Sequence, residues 1–183
     1  MAFIDYSQSP HFGSEAFYNV SQGVGPDVGG SYQRDDIMLV QYLLKKTWEQ
    51  HGYDFTPQMP KTPDDTINVD GIYGPITARW ILQFQQSQVD QGKNVVVDGR
   101  VDTQHDLTTP IHQALWTISI LNGMFHYMEP KLFYDPTQDT DCPADLINSL
   151  VQSMSGGSGG ATSFPLPAWG SDSEYGSSTG GGG

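Results

Sequence analysis

The chain of 183 residues holds a single cysteine, Cys142, so neither an intrachain disulfide nor a thiolate metal cluster is open to it. A lone thiol of this kind is expected to be a buried spectator. Basic residues are scarce: eight Lys and Arg stand against 21 Asp and Glu, a net charge of −13. The cations do not cluster, so nucleic-acid binding by counterion release lacks its basic face, and an anionic membrane surface is excluded on the same ground. No apolar run reaches the length that spans a bilayer. Met1-Ala2-Phe3-Ile4-Asp5-Tyr6 has neither the positive nor the apolar region of a secretory signal. The expectation is synthesis in the cytoplasm, with any exterior site reached by lysis, a dedicated machine, or inside a particle.

Glutamate is also scarce, at Glu15, Glu49, Glu129 and Glu174 only. Glycosidic hydrolysis needs a proton-donating carboxyl, often Glu, set against a second carboxylate. None of the four has such a neighbour. His11, His51, His105, His112 and His126 are scattered and form no zinc-binding pair of helical spacing. The Asp-rich turns lack the alternating oxygen ligands and closing Glu of a calcium loop. No catalytic residue, metal or cofactor is therefore assigned, and a binding or assembly protein is expected rather than an enzyme.

What is present is organised in four stretches. Residues 1–34 combine glycine and proline with aromatics, Phe12, Phe17 and Tyr18 among them. The glycines stop any regular element from extending. An aromatic-bearing arm docks either on its own domain or on a partner; Phe12, Phe17 and Tyr18 are the candidate assembly contacts. Residues 35–128 carry the helical signals. Asp35 or Asp36 can cap a first helix with Ile37, Val40 and Leu44 on one face, and Gly52 is a plausible stop. Asp70-Gly71-Ile72-Tyr73-Gly74-Pro75 is a tight turn that launches a second helix, with Pro75 at its first position. Val95-Val96-Val97 reads as extended, and a second Asp-Gly turn follows at Asp98-Gly99. A third helix is expected over Pro110–Met128, with Thr109 as its cap and Leu115, Ile118, Leu121 or Phe125 inward. Ile37, Val40, Leu44, Tyr73, Ile81, Phe84, Leu115 and Ile118 are expected to share one core. Residues 129–154 read as a loop and a short helix through Leu146, Ile147, Leu150 and Val151. Residues 155–183 are a Gly/Ser-rich tail broken by Phe164-Pro165-Leu166-Pro167-Ala168-Trp169. Phe164, Leu166 and Trp169 are its candidate assembly contacts.

Three pieces in order resemble the peptidoglycan-binding domain family of bacterial and phage cell-wall proteins. Ile37, Val40, Gln41 and Leu44 match its first helix. Asp70, Gly71, Tyr73, Gly74, Pro75, Thr77, Ile81, Phe84 and Gln85 match its central signature, and Asp98, Gly99 and Val101 its third piece. The match spans roughly 70 residues, on the order of one small domain. Departures are a long proline-rich link before Asp70, Trp80 where the family has a small residue, and Asp102 in place of a final glycine.

The resemblance implies a mainly α fold: a small three-helix bundle with extended N- and C-terminal arms. Asp70, Gly71, Gly74, Pro75, Thr77, Asp98 and Gly99 are its fold signature. It implies peptidoglycan as ligand, with Tyr73 and Trp80 to stack on sugar and Gln83, Gln85 and Gln86 to serve hydroxyls. Aromatics at helical spacing equally pack as core, so Tyr73 and Trp80 carry both readings. The expected setting is a component of a phage particle or other multi-subunit assembly that contacts the cell wall, with protein subunits, further copies of this chain included, as partners. The alternative is a purely structural virion or injection-device protein, in which the bundle is a scaffold, the arms mediate assembly and no glycan is bound.

Overall fold

The computed structural model describes residues 1–5, 17–26, 33–49, 65–104 and 114–155. Among them the chain is mainly helical, with five helices and one two-stranded sheet. The order is β1 (Phe3–Asp5), β2 (Phe17–Asn19), α1 (Arg34–Leu44), α2 (Pro75–Asp90), α3 (Thr117–Met128), α4 (Pro130–Tyr134) and α5 (Ala144–Ser155). No helix among the described residues is long and apolar enough to cross a membrane.

α1 is the central element. Its apolar residues were expected on one face, but Met38, Leu39, Tyr42 and Leu43 are buried as fully as Ile37, Val40 and Leu44. A helix apolar all round must be enclosed, and α1 packs against α2, α3 and α5. Asp35 and Asp36 lie in its first turn, and neither is the cap, which is Gln33. Asp36 is buried and accepts from Ser21 N (3.0 Å), Ser21 Oγ (2.8 Å) and Gln22 N (3.1 Å). It ties the N-terminal segment to the helix instead. Asp35 accepts from Ser149 Oγ of α5 (2.8 Å). The helix then widens into a π-helical turn over Lys45–Glu49, so α1 stops before Gly52, which lies outside the described residues.

β1 and β2 pair antiparallel, with Ile4 opposite Tyr18. Ala2, Ile4, Phe17, Tyr18 and Val20 belong to the main core. Phe17 and Tyr18 do not serve as contacts for another subunit: the arm docks on its own domain, and both rings are enclosed by their own chain. Tyr18 meets Phe133 edge-on at 5.1 Å, and its backbone N–H and carbonyl pair with the Asn122 amide of α3 at 2.8 and 2.9 Å. Phe12, Phe164, Leu166 and Trp169 lie outside the described residues.

α3 starts at Thr117, later than expected, and Thr109 and Pro110 lie outside the described residues. Leu115 is extended rather than helical, because it forms a parallel bridge with Val95. Ile118, Leu121 and Phe125 face inward. The stretch after Met128 is not a loop, since Pro130 opens α4 and Ala144 opens a full α5. Phe133, Leu146 and Leu150 join the cluster that holds Ile37, Val40, Leu44, Ile81, Phe84 and Ile118, with Tyr73 and Leu115 packed half-buried on it. Among the described residues, one core thus takes side chains from each of the segments 1–34, 35–128 and 129–154.

Candidate functional site

The two Asp-Gly turns are built alike, and each is held by one buried glutamine. Gln41 of α1 receives the backbone N–H groups of Asp70 (3.1 Å) and Gly71 (2.8 Å) on its carbonyl oxygen. Its amide nitrogen donates to Asp70 Oδ1 (2.9 Å), the Ile72 carbonyl (3.1 Å) and Thr77 Oγ1 (3.0 Å). Gln85 of α2 repeats the set. Asp98 N (3.1 Å) and Gly99 N (2.8 Å) donate to it, and it donates to Asp98 Oδ1 (3.2 Å), the Arg100 carbonyl (2.7 Å) and Thr117 Oγ1 (3.1 Å). In each turn the Asp carboxylate also accepts from the residue two positions on, Ile72 and Arg100. Asp70, Gly71, Thr77, Asp98 and Gly99 thus act in the fold, as do Gly74 and Pro75, the cap and first residue of α2.

Gly71 and Gly99 both sit at φ +73°, where a side chain is strained. A Cβ at Gly71 would lie 2.4 Å from Arg34 Cγ and 3.0 Å from its carbonyl, whereas one at Gly74 would meet nothing within 4 Å. Gly71→Ala is therefore expected to cost about 2–4 kcal/mol from strain and overpacking together. Gly74→Ala should cost under about 1 kcal/mol, the usual loss on replacing a glycine cap. Urea midpoints of the two variants test the contrast, and equal midpoints would remove the claim that Gly71 needs its conformation.

Of the five residues read as glycan-facing, two are enclosed. Gln85 is 1% exposed with both the oxygen and the nitrogen of its amide spent on the second turn. Trp80 is 1% exposed, stands edge-on to Trp48 at 5.2 Å and donates its indole N–H to the Asp65 carbonyl (2.9 Å). Both are corrected to core residues, and for Trp80 the packing alternative holds. Tyr73 is half-buried against the core. Gln83 and Gln86 stay on the solvent side of α2, Gln86 with its amide on Asp90 Oδ1 (2.9 Å). Around them Ile72, Ile76, Leu82, Val89 and Val97 are exposed. The outer side of α2 is thus a mixed face of amides, aliphatic groups and two charged residues, Asp90 and the ion-paired Arg79, with one Asp-Gly turn at its start and the other bonded to Gln85.

A second cluster had no sequence signal beyond its separate residues. Lys46, in the π-turn, is buried and ion-paired to buried Asp139 (3.0 Å), with Asp141 at 3.6 Å. Tyr42 donates its hydroxyl to the same Asp139 oxygen (2.9 Å). Burial above all pushes the Tyr42 hydroxyl far above its usual range, so it remains a donor. Burial, reinforced by Asp139, pushes the neighbouring Cys142 thiol up to about 12, which leaves almost no thiolate at neutral pH. Among the described residues no three His, Cys, Asp or Glu side chains are grouped to hold a metal. His126, the one described histidine, contacts Tyr134 Oη at 2.8 Å and stands edge-on to Phe133. No family model matches the chain, and neither a curated protein nor a solved structure shows detectable similarity to it.

Proposed function

We infer that the chain is a non-enzymatic, peptidoglycan-binding-like module that presents the outer face of α2 to cell-wall glycan, as a component of a phage particle or other multi-subunit assembly that contacts the cell wall. One observation carries this reading: two identically clasped Asp-Gly turns, one leading into α2 and the other bonded to Gln85 along its length, which leave Gln83 and Gln86 on its solvent side. Exposed amides between aliphatic side chains suit a sugar, whose hydroxyls take the amides while its ring faces lie on carbon. Tyr73, half-buried beside the first turn, supports the edge of that face. In this reading α1–α3 and the turns are the three-helix unit of the family, and the hairpin, α4 and α5 are additions that share its core.

The test is cosedimentation with purified peptidoglycan sacculi. The wild-type chain should pellet with them. Gln83→Ala combined with Gln86→Ala should lower the association constant about tenfold, the loss of one to two hydrogen bonds, without lowering the melting temperature. A wild-type chain that stays in the supernatant would reject glycan binding and leave the assembly scaffold. Ile72, 66% exposed, and Tyr127, 76% exposed, favour that second reading, because such side chains suit a protein contact.

A further inference from the structure

We propose that Lys46 and Asp139 join in an intramolecular amide (isopeptide) bond that staples the end of α1 to the turn before α5. Every part an acyl transfer needs stands around this pair. The nucleophile, Lys46 Nζ, lies 3.0 Å from Asp139 Oδ2, one C–O bond from the carbon it would attack, and both side chains are more than nine-tenths buried. The Tyr42 hydroxyl donates to Oδ2 at 2.9 Å and is placed to protonate it as it leaves. The Asp141 backbone N–H donates to Oδ1 at 2.9 Å, where a tetrahedral intermediate would gather negative charge. The Asp141 carboxylate, 3.6 Å from Nζ, can take the ammonium proton and free the lone pair. Enclosure of Lys46 and Asp139 disfavours the separated charges and shields the bond from the water that drives an amide back to acid and amine, while Asp141, a third exposed, links the pair to solvent.

The step balances without a co-reactant. Nζ bonds to Cγ of Asp139, the Cγ–Oδ2 bond breaks, and two of the three ammonium protons leave with Oδ2 as water, relayed through Asp141 and Tyr42. One proton stays on the amide nitrogen. The product is neutral, so a buried ion pair becomes a buried amide.

Mass spectrometry of the purified full-length chain under denaturing conditions reads this directly. The intact mass should fall below the sequence mass by one water, and a digest should contain a branched fragment joining the peptides of Lys46 and Asp139. Lys46→Arg should restore the full mass. Tyr42→Phe should slow the loss of water during refolding of freshly denatured, uncrosslinked chain. An Asp-Gly succinimide at Asp70 or Asp98 also loses one water but leaves the two peptides separate. Separate peptides in wild-type chain kept folded to completion, with or without that water, overturn the proposal. The wild-type digest decides the matter even where a variant fails to fold.

Discussion

Deleting residues 1–24 is expected to abolish cooperative folding rather than trim an arm. The deletion removes Ala2, Ile4, Phe17, Tyr18, Val20 and Val24 from the core. Burial of a large apolar side chain yields roughly 1.5–3 kcal/mol. Ile4, Phe17, Tyr18 and Val20 together therefore contribute about 6–12 kcal/mol, comparable with the whole stability of a domain, about 5–15 kcal/mol. Polar groups would be stranded as well. Asn122 would lose both its bonds to Tyr18, and the Gln104 backbone would lose its two bonds to Asn19. Circular dichroism on heating should show no sigmoidal melt, and a hydrophobic dye should bind at room temperature. A deletion variant that melts cooperatively within a few degrees of the full chain would mean that the hairpin is dispensable.

That segment shows where sequence reading reached its limit. Its described strands are short, and Phe17 and Tyr18 dock on the core, as an aromatic-bearing arm requires. The strands that bring Phe17 and Tyr18 inward are three residues each, too short to display the alternation by which a half-buried strand is recognised. The deciding partner, Asn122, sits about a hundred positions away on α3. A polar residue on the buried side of an apolar helix was the available signal, because it must find backbone to bond. The ion pair of Lys46 with Asp139 was hidden by the same separation, and by a π-turn that turns Lys46 inward. Thr109-Pro110 looked like a helix start. Among the described residues Leu115 instead bridges Val95 in parallel, and the helix begins only at Thr117.

The Asp-Gly turns were legible because their chemistry is local. Asp-Gly is needed where φ is positive and a carboxylate must accept from two residues on, and Gly-Pro announces the helix that follows. Gln41 and Gln85 were legible as positions, and Gln85 was misread in role. Gln85 was assigned to sugar because an amide can serve a hydroxyl, yet helical spacing places it beside Phe84 and Ile81 on the inner side. A buried amide offers two donors and two acceptor sites, and a tight turn leaves N–H and C=O groups unpaired. Each supplies what the other lacks.

Gln41→Leu and Gln85→Leu should accordingly each cost about 3–5 kcal/mol. Leucine fills most of the volume, so the loss falls on polar groups left behind. At the first turn these are the N–H groups of Asp70 and Gly71 and one bond each at Asp70 Oδ1, the Ile72 carbonyl and Thr77 Oγ1. A buried group deprived of its partner costs about 1–3 kcal/mol. Gly71 N is the buried donor, while Asp70 and Ile72 are exposed enough to recover water, which holds the total below the simple sum of five bonds. Gln85→Leu strands the matching set at Asp98, Gly99, Arg100 and Thr117. Glutamate should be no better at either site, because it accepts the two N–H groups but sets a carboxylate against three acceptors. Gln86→Leu, on the exposed side of the same helix, should stay within about 0.5 kcal/mol of wild type. Urea denaturation of the five variants gives the comparison. A loss under about 1 kcal/mol for Gln41→Leu or Gln85→Leu would mean that the turns hold their shape unaided, and the outer face of α2 would then owe nothing to the glutamines beneath it.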